Sequence, residues 1–266
     1  MAGRGMSDTH RVLRQDMPAV VAHRGASGHK PEHTLAAYEL ALEQGADGLE
    51  CDVRLTADHE LVCIHDRTID RTSDGSGAVS ELTLAQLREF NFGGWHTSGL
   101  DAQVLTLREL LELTLDWKRP VRLFIETKHP VRFGGLVEQL LLAELQRFGV
   151  ATPASADHSR AVVISFSTAG VWRIRRNAPM LPTVLLGDTA RFLGGSAATA
   201  VGATAIGPSI ATLREHPDAV DRAAAAGRAT YCWTVDERRD ATYCADLGVG
   251  WIATNYPDRV LGWLAA

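Results

Sequence analysis

Three carboxylates stand inside segments that otherwise read as buried strands. In Gly48-Leu-Glu-Cys-Asp-Val-Arg, Glu50 and Asp52 are two residues apart and share one face of an extended chain, with Cys51 on the other. Leu123-Phe-Ile-Glu-Thr-Lys repeats the arrangement with Glu126 and Lys128, and Val20-Val-Ala-His-Arg-Gly ends an apolar run with His23 and Arg24. Strands of a parallel sheet are buried on both faces, so charged residues within them need a reason. Three carboxylates converging on one spot repel unless a cation neutralises them. An all-oxygen donor set selects a hard ion such as Mg2+ or Ca2+ over zinc. The bland alternative pairs Glu50 with Arg54 and Glu126 with Lys128 as ordinary ion pairs.

A fourth group reaches the same place through a hairpin. Only Thr56-Ala57-Asp58-His59-Glu60 separates Leu55 from Leu61, too short for a parallel crossover of about a dozen residues, so 61–65 must fold back antiparallel. A turn centred between Asp58 and His59 sets Asp52 opposite His65, with Cβ atoms roughly 5 Å apart. The carboxylate field then raises the His65 pKa and suits the ring to proton transfer. Gly25 lets the backbone turn close to a ligand. Arg24 offers the planar fork of donors that a phosphate accepts, and Lys128 a second point charge. Together with a metal these groups would neutralise a phosphodiester and its more charged transition state.

The elements that must position these side chains follow a βα alternation. Strands are expected at 19–24, 48–55, 61–65, 121–128, 162–166, 183–186, 203–208, 229–235 and 250–254, and amphipathic helices at 33–44, 133–147, 168–177, 217–226, 237–247 and 257–264. Setting aside the returning strand leaves eight, the number that closes a (β/α)8 TIM barrel. All the groups singled out then lie at strand C-terminal ends, where the chemistry of barrel enzymes sits. The expected fold is an α/β TIM barrel with a hairpin and a small helical insertion after the second barrel strand. That insertion covers about 66–117, with helices at 83–90 and 106–115 and a Gly-rich loop, 91–99, that could cap the mouth.

Composition agrees with one large domain, 18–266. The 266 residues are 45% hydrophobic and 22% charged, with a net charge of -5 and no cluster of Lys and Arg, which argues against a nucleic-acid partner. No stretch approaches the ~18 apolar residues that span a bilayer. Residues 1–17 are polar and lack the apolar centre of a secretory signal, so they read as a disordered tail on a cytoplasmic protein. Cys51, Cys63, Cys232 and Cys244 sit in apolar or alternating segments without a CxxC pair and read as reduced core thiols.

The motifs HRG (23–25), PEHT (31–34), ECD (50–52), HD (65–66), ETK (126–128), WTVD (233–236) and TN (254–255) occur in that order. The set resembles the glycerophosphodiester phosphodiesterase family over Val20 to about Asn255. The resemblance implies that Glu50, Asp52 and Glu126 ligate Mg2+ or Ca2+ and that His23 and His65 act as acid and base. It further implies that Arg24 and Lys128 bind phosphate, that Glu32 lines the same mouth, and that Trp233 forms an apolar wall. Two positions depart from the family pattern. His33 replaces the usual Asn of Pro-Glu-Asn-Thr, and Asp236 replaces the usual Asn of Trp-Thr-Val-Asn.

The expected reaction is metal-assisted hydrolysis of a glycerophosphodiester, a small-molecule substrate, to glycerol 3-phosphate and an alcohol. Two other readings stand beside it. An apolar channel formed by Phe90, Phe92 and Trp95 would turn the same chemistry on lysophospholipids, and a barrel without catalysis would only bind metal or phosphate.

Overall fold

Runs of β-branched and aliphatic residues form the strands, and each buries both faces as a parallel barrel strand should. The computed structural model describes residues 17–189 and 195–266. Apart from Met17, the expected tail lies outside the described residues. The strands are β1 (Ala19–His23), β2 (Gly48–Leu55), β3 (Leu61–Cys63), β4 (Arg122–Thr127), β5 (Ala161–Ser165), β6 (Thr183–Gly187), β7 (Ala205–Pro208), β8 (Ala229–Cys232) and β9 (Trp251–Thr254). Eight of them pair in parallel, and β1 joins both β2 and β9, closing a (β/α)8 barrel. Among the described residues no helix is long and apolar enough to cross a membrane.

Helices α1 (Leu35–Glu43), α2 (Leu84–Leu87), α3 (Leu107–Asp116), α4 (Leu136–Arg147), α5 (Thr168–Asn177), α6 (Ser196–Val201), α7 (Ile210–Glu215), α8 (Ala219–Ala225), α9 (Arg238–Asp246) and α10 (Pro257–Leu264) follow the expected amphipathic stretches closely, except for α6 and α7. Those two are single short turns in and beyond an Ala/Gly-rich run, without a readable period. Side-chain caps set several starts: Thr34 accepts from the Ala37 N–H, and Thr106 forms a reciprocal capping box with Glu109. Helix α3 buries Leu107, Leu110 and Leu111 in the main core outside the barrel wall, each contributing about 1.5–3 kcal/mol. It therefore belongs to the outer helix ring. The inserted lobe has its own small core of Ile64, Ile69, Val79, Leu87, Phe92 and Val104, with Phe90 packed against it.

The hairpin register differs from expectation by one residue. Val53 pairs with Cys63, Arg54 with Val62 and Leu55 with Leu61, so Ile64, not His65, stands opposite Asp52 and donates its N–H to the Asp52 carbonyl at 3.0 Å. The reason is the turn. Thr56 N–H donates to the Glu60 carbonyl, Thr56 Oγ1 bonds Asp58 at 2.6 Å, and His59 takes φ +64°. This is a three-residue loop centred on Asp58 and closed by a left-handed residue, a common hairpin connection. Strand β3 ends at Cys63, so the orientation of His65 is set by what holds the segment after it.

Inside the barrel Phe124 lies 5.2 Å from Tyr231 and 5.0 Å from Trp251, and Arg122 covers Trp251. These rings, with Val21, Val162, Ile164, Val184 and Leu186, form a dry floor. Gly48 makes room for it, since a Cβ there would stand 3.1 Å from the Phe124 ring. Above β1, Gly25 has φ +81° and a Cβ would meet the Ala37 backbone at 2.7 Å. Only glycine lets α1 dock against the end of β1. Gly25→Ala is expected to cost about 2 kcal/mol or more, seen as a fall in thermal midpoint of roughly 4 °C or more by calorimetry.

Candidate active site

Strand alternation delivers the carboxylates to the barrel interior above the aromatic floor. Parallel register sets His23 and Phe124 beside Glu50, and Glu126 beside Asp52. Glu50, Asp52 and Glu126 are 1%, 1% and 7% exposed, and each brings one oxygen within 4.8 Å of the others. Burial and the Asp52 charge push the Glu50 carboxyl well above its ordinary range and Glu126 up to about 7. Burial also acts on Asp52, but the His33 hydrogen bond, Lys128 and Arg24 outweigh it and hold that carboxyl well below the usual range. Without a cation, the other two carboxyls favour their protons. Three buried carboxylates with no nitrogen or sulfur donor among them fit a hard divalent ion.

Both arrangements weighed from sequence are partly present. Lys128 Nζ lies 2.7 Å from Glu126 Oε1 and 3.2 Å from Asp52 Oδ1, bridging the two carboxylates. Arg54 does not pair with Glu50. Its Nε and Nη2 donate to the His65 carbonyl at 3.0 and 2.7 Å, pinning the main chain that carries the histidine.

Arg24 sits in the left-handed region at φ +59°. Its N–H donates to Glu50 Oε2 at 3.1 Å, and Nη1 to Glu32 Oε1 at 3.1 Å. Its Nε is 3.0 Å from Asp52 Oδ2 yet is buried without a well-aligned acceptor, so it retains donor capacity. Glu32 is gripped from the other side by Arg71, which donates to both oxygens at 2.9 and 2.8 Å. The Glu32 carboxyl is pushed down to about 2, because these guanidinium bonds outweigh its burial. Glu32 thus ties two arginines together at the mouth.

The two histidines have different partners. His65 Nδ1 lies 2.7 Å from Asp66 Oδ1, and Arg71 Nε donates to Asp66 Oδ2 at 2.6 Å. Burial lowers the His65 pKa, and Arg24 and Lys128 offset the upward pull of Asp52. The upward shift expected from a bare carboxylate neighbour is therefore not present, because burial, joined by the two cations at the mouth, outweighs it. His23 Nδ1 lies 2.8 Å from Asn255 Oδ1, with Nε2 4.0 Å from Glu50 Oε2. Burial, reinforced by Arg24, lowers its pKa to about 4.

The two departures also find places. His33 bridges Asp52 Oδ2 at 2.9 Å and the Tyr38 hydroxyl at 2.8 Å, so a ring performs the hydrogen bonding of position 33. Asp236 faces Asn255 and Thr254 and none of the triad. Trp233 donates to the Gly207 carbonyl at 2.9 Å and meets the Phe166 ring edge-on at 5.4 Å. Phe166, 45% exposed, was given no role from sequence; the signal was an aromatic just past a barrel strand. Asp66, Arg71 and Asn255 were likewise given none, although two of them lie in quoted motifs. Phe90 and Phe92 belong to the lobe core, and Trp95 donates to the Phe92 carbonyl. Those contacts stay within the lobe.

Comparison with known proteins agrees with this geometry. The pattern of the family described as the glycerophosphoryl diester phosphodiesterase family matches residues 23–259. A Mycobacterium tuberculosis protein named "Probable glycerophosphodiester phosphodiesterase 1" is 64% identical over 93% of this chain and 92% of its own length. A Bacillus subtilis glycerophosphodiester phosphodiesterase is 32% identical over 93% of this chain and 86% of its own. The crystal structure of glycerophosphodiester phosphodiesterase from Agrobacterium tumefaciens superposes with a TM-score of 0.77 at 27% identity, covering 94% of this chain and all of that one. The chain belongs to the glycerophosphoryl diester phosphodiesterase family, a family of phosphoric diester hydrolases.

Proposed function

We propose that this protein hydrolyses glycerophosphodiesters to glycerol 3-phosphate and an alcohol, with Mg2+ or Ca2+ held by Glu50, Asp52 and Glu126. The observation that carries the reading is the buried carboxylate triad flanked by two histidines and a half-buried arginine at one barrel mouth. When bound, the ion polarises the phosphoryl oxygens and neutralises their charge. Arg24, positioned by Glu32, and Lys128 bind the remaining anionic oxygens. Trp233 and Phe166 offer an apolar wall to the organic part of the substrate.

The histidines divide the proton transfers. His23 faces a neutral amide and acts as the base. Its Nε2 takes the proton of the attacking hydroxyl, from water or from the substrate's own glycerol 2-hydroxyl. The oxygen bonds to phosphorus, the bond to the leaving alcohol breaks, and His65 protonates the leaving oxygen; where the 2-hydroxyl attacks, the product is a cyclic phosphate, which water then opens to glycerol 3-phosphate with the two histidines exchanging roles. The Asp66 carboxylate on His65 Nδ1 stabilises the charged ring that must donate. The cytoplasm, where cysteines stay reduced, is the setting that four buried free thiols favour.

A panel of glycerophosphodiesters differing in the alcohol, each assayed with Mg2+ and with Ca2+, tests the reading. Glycerol 3-phosphate is expected from at least one diester with one of the ions. Release from none would overturn it, and turnover of lysophosphatidylcholine but not glycerophosphocholine would move the activity to lysophospholipids.

A further inference from the structure

Asp236 stands where the family pattern has an amide, and two of the three hydrogen bonds the structure gives its side chain come from Asn255, the partner of His23. Its Oδ1 accepts from Thr254 Oγ1 and from the Asn255 N–H, each at 2.8 Å, and its Oδ2 accepts from Asn255 Nδ2 at 2.7 Å. The other end of the same amide, Asn255 Oδ1, lies 2.8 Å from His23 Nδ1 and 2.8 Å from Ser27 Oγ. The Asn255 carbonyl also accepts from the Gly28 N–H at 2.9 Å, so both main-chain polar groups of the residue are tied. We propose that Asp236 and Asn255 are positioning residues that hold His23 as its Nδ1–H tautomer, aiming the Nε2 lone pair into the barrel mouth. The inference rests on the acid–base reading above.

The hydrogen-bond chemistry leaves one consistent arrangement. A carboxylate only accepts, so the end of Asn255 that faces Asp236 must be the NH2 group. A flipped amide would put two acceptors 2.7 Å apart with no proton between them. The amide oxygen is thereby turned to His23 and accepts only, so the proton of the neutral ring sits on Nδ1. Nε2 is left free to accept a proton from a hydroxyl at the mouth, and the ring, its side chain 18% exposed, is reachable there. With asparagine at 236, the main-chain N–H of Asn255 would keep the amide oxygen at the Oδ1 place, so the NH2 group would face the Asn255 side chain and flip it. That flip would put the ring proton on Nε2, where it blocks the base. The carboxylate at 236, which accepts at both oxygens, prevents that flip.

Nitrogen-15 NMR of the His23 ring in the intact wild-type protein reads the tautomer directly and needs no variant. A protonated Nδ1 with a bare Nε2 is expected; the reverse tautomer overturns the proposal. Asp236→Asn should turn the His23 ring to the Nε2–H tautomer and lower kcat by about 10- to 100-fold, with KM changed less than about threefold. Combining it with Asn255→Asp restores an acceptor for the His23 Nδ1–H, so turnover should recover at least tenfold over the single variant. In a His23→Ala background, Asp236→Asn should cost nothing further, because it acts only through that ring. The same loss with and without His23, no recovery in the double variant, or an unchanged tautomer in Asp236→Asn would each overturn it. If no glycerophosphodiester is turned over at all, the proposed reaction fails while the tautomer measurement still decides the positioning.

Discussion

Glu50→Gln is expected to lower turnover by about 10³-fold or more while leaving the fold intact. The metal-free protein already favours a proton on this buried carboxyl, and glutamine reproduces that neutral form at nearly the same volume. The thermal midpoint without added ion should therefore stay unchanged or rise. The increase on adding Mg2+ or Ca2+, expected in the wild type, should vanish along with activity, because one of the three proposed anionic ligands is gone. Loss of a bound ion removes several kcal/mol of transition-state stabilisation, which corresponds to the stated factor. Linkage adds a pH signature. Glu126 titrates near 7 in the fold against 4.5 ordinarily, so between those values the folded state binds more protons than the unfolded one. The contribution of Glu126 to metal-free stability falls as pH rises through that window, while the lowered His23 contributes with the opposite sign. Added ion should stabilise more at pH 8 than at pH 5, where it must displace protons. Equal ion stabilisation in wild type and Glu50→Gln, read by calorimetry, would contradict the assignment of this ligand.

His65→Ala is expected to lower kcat by more than a hundredfold, within the 10²–10⁴ typical of a lost proton donor. The loss should depend on the leaving group. The p-nitrophenolate of a p-nitrophenyl phosphodiester leaves as a stable anion without protonation, so His65→Ala should recover most of its rate on that substrate, whereas His23→Ala should not. Equal losses on both substrates would remove His65 from the role of acid. Near-normal turnover of the natural diester would remove it from the chemistry altogether.

The fold was legible because strand burial and the βα alternation leave a strong apolar imprint, and because polar residues inside those strands could only be there for a purpose. Glu50, Asp52, Glu126, His23 and Lys128 followed from strand alternation alone. His65 did not. A hairpin count fails when a left-handed residue at His59 adds one position to the loop, and the histidine's place depends on Arg54 and Asp66, contacts that no periodicity encodes. The polar relays were equally hidden. Asn255 and Asp236 lie 19 residues apart, at the ends of different strands, and Arg71 reaches Glu32 across 39 residues. Sequence patterns report which face a residue occupies, and say little about which side chain from another strand meets it there. Helices α6 and α7 were missed for a simpler reason: one alanine-rich turn or one short turn carries no amphipathic period.

The most direct test of the central assignment is release of glycerol 3-phosphate from glycerophosphocholine by the purified full-length protein, followed by phosphorus NMR. With Mg2+ or Ca2+, one glycerol 3-phosphate should accumulate for each diester consumed. The reaction should stop on chelation and resume when the ion is restored. Undiminished release after complete removal of divalent ions would contradict the account.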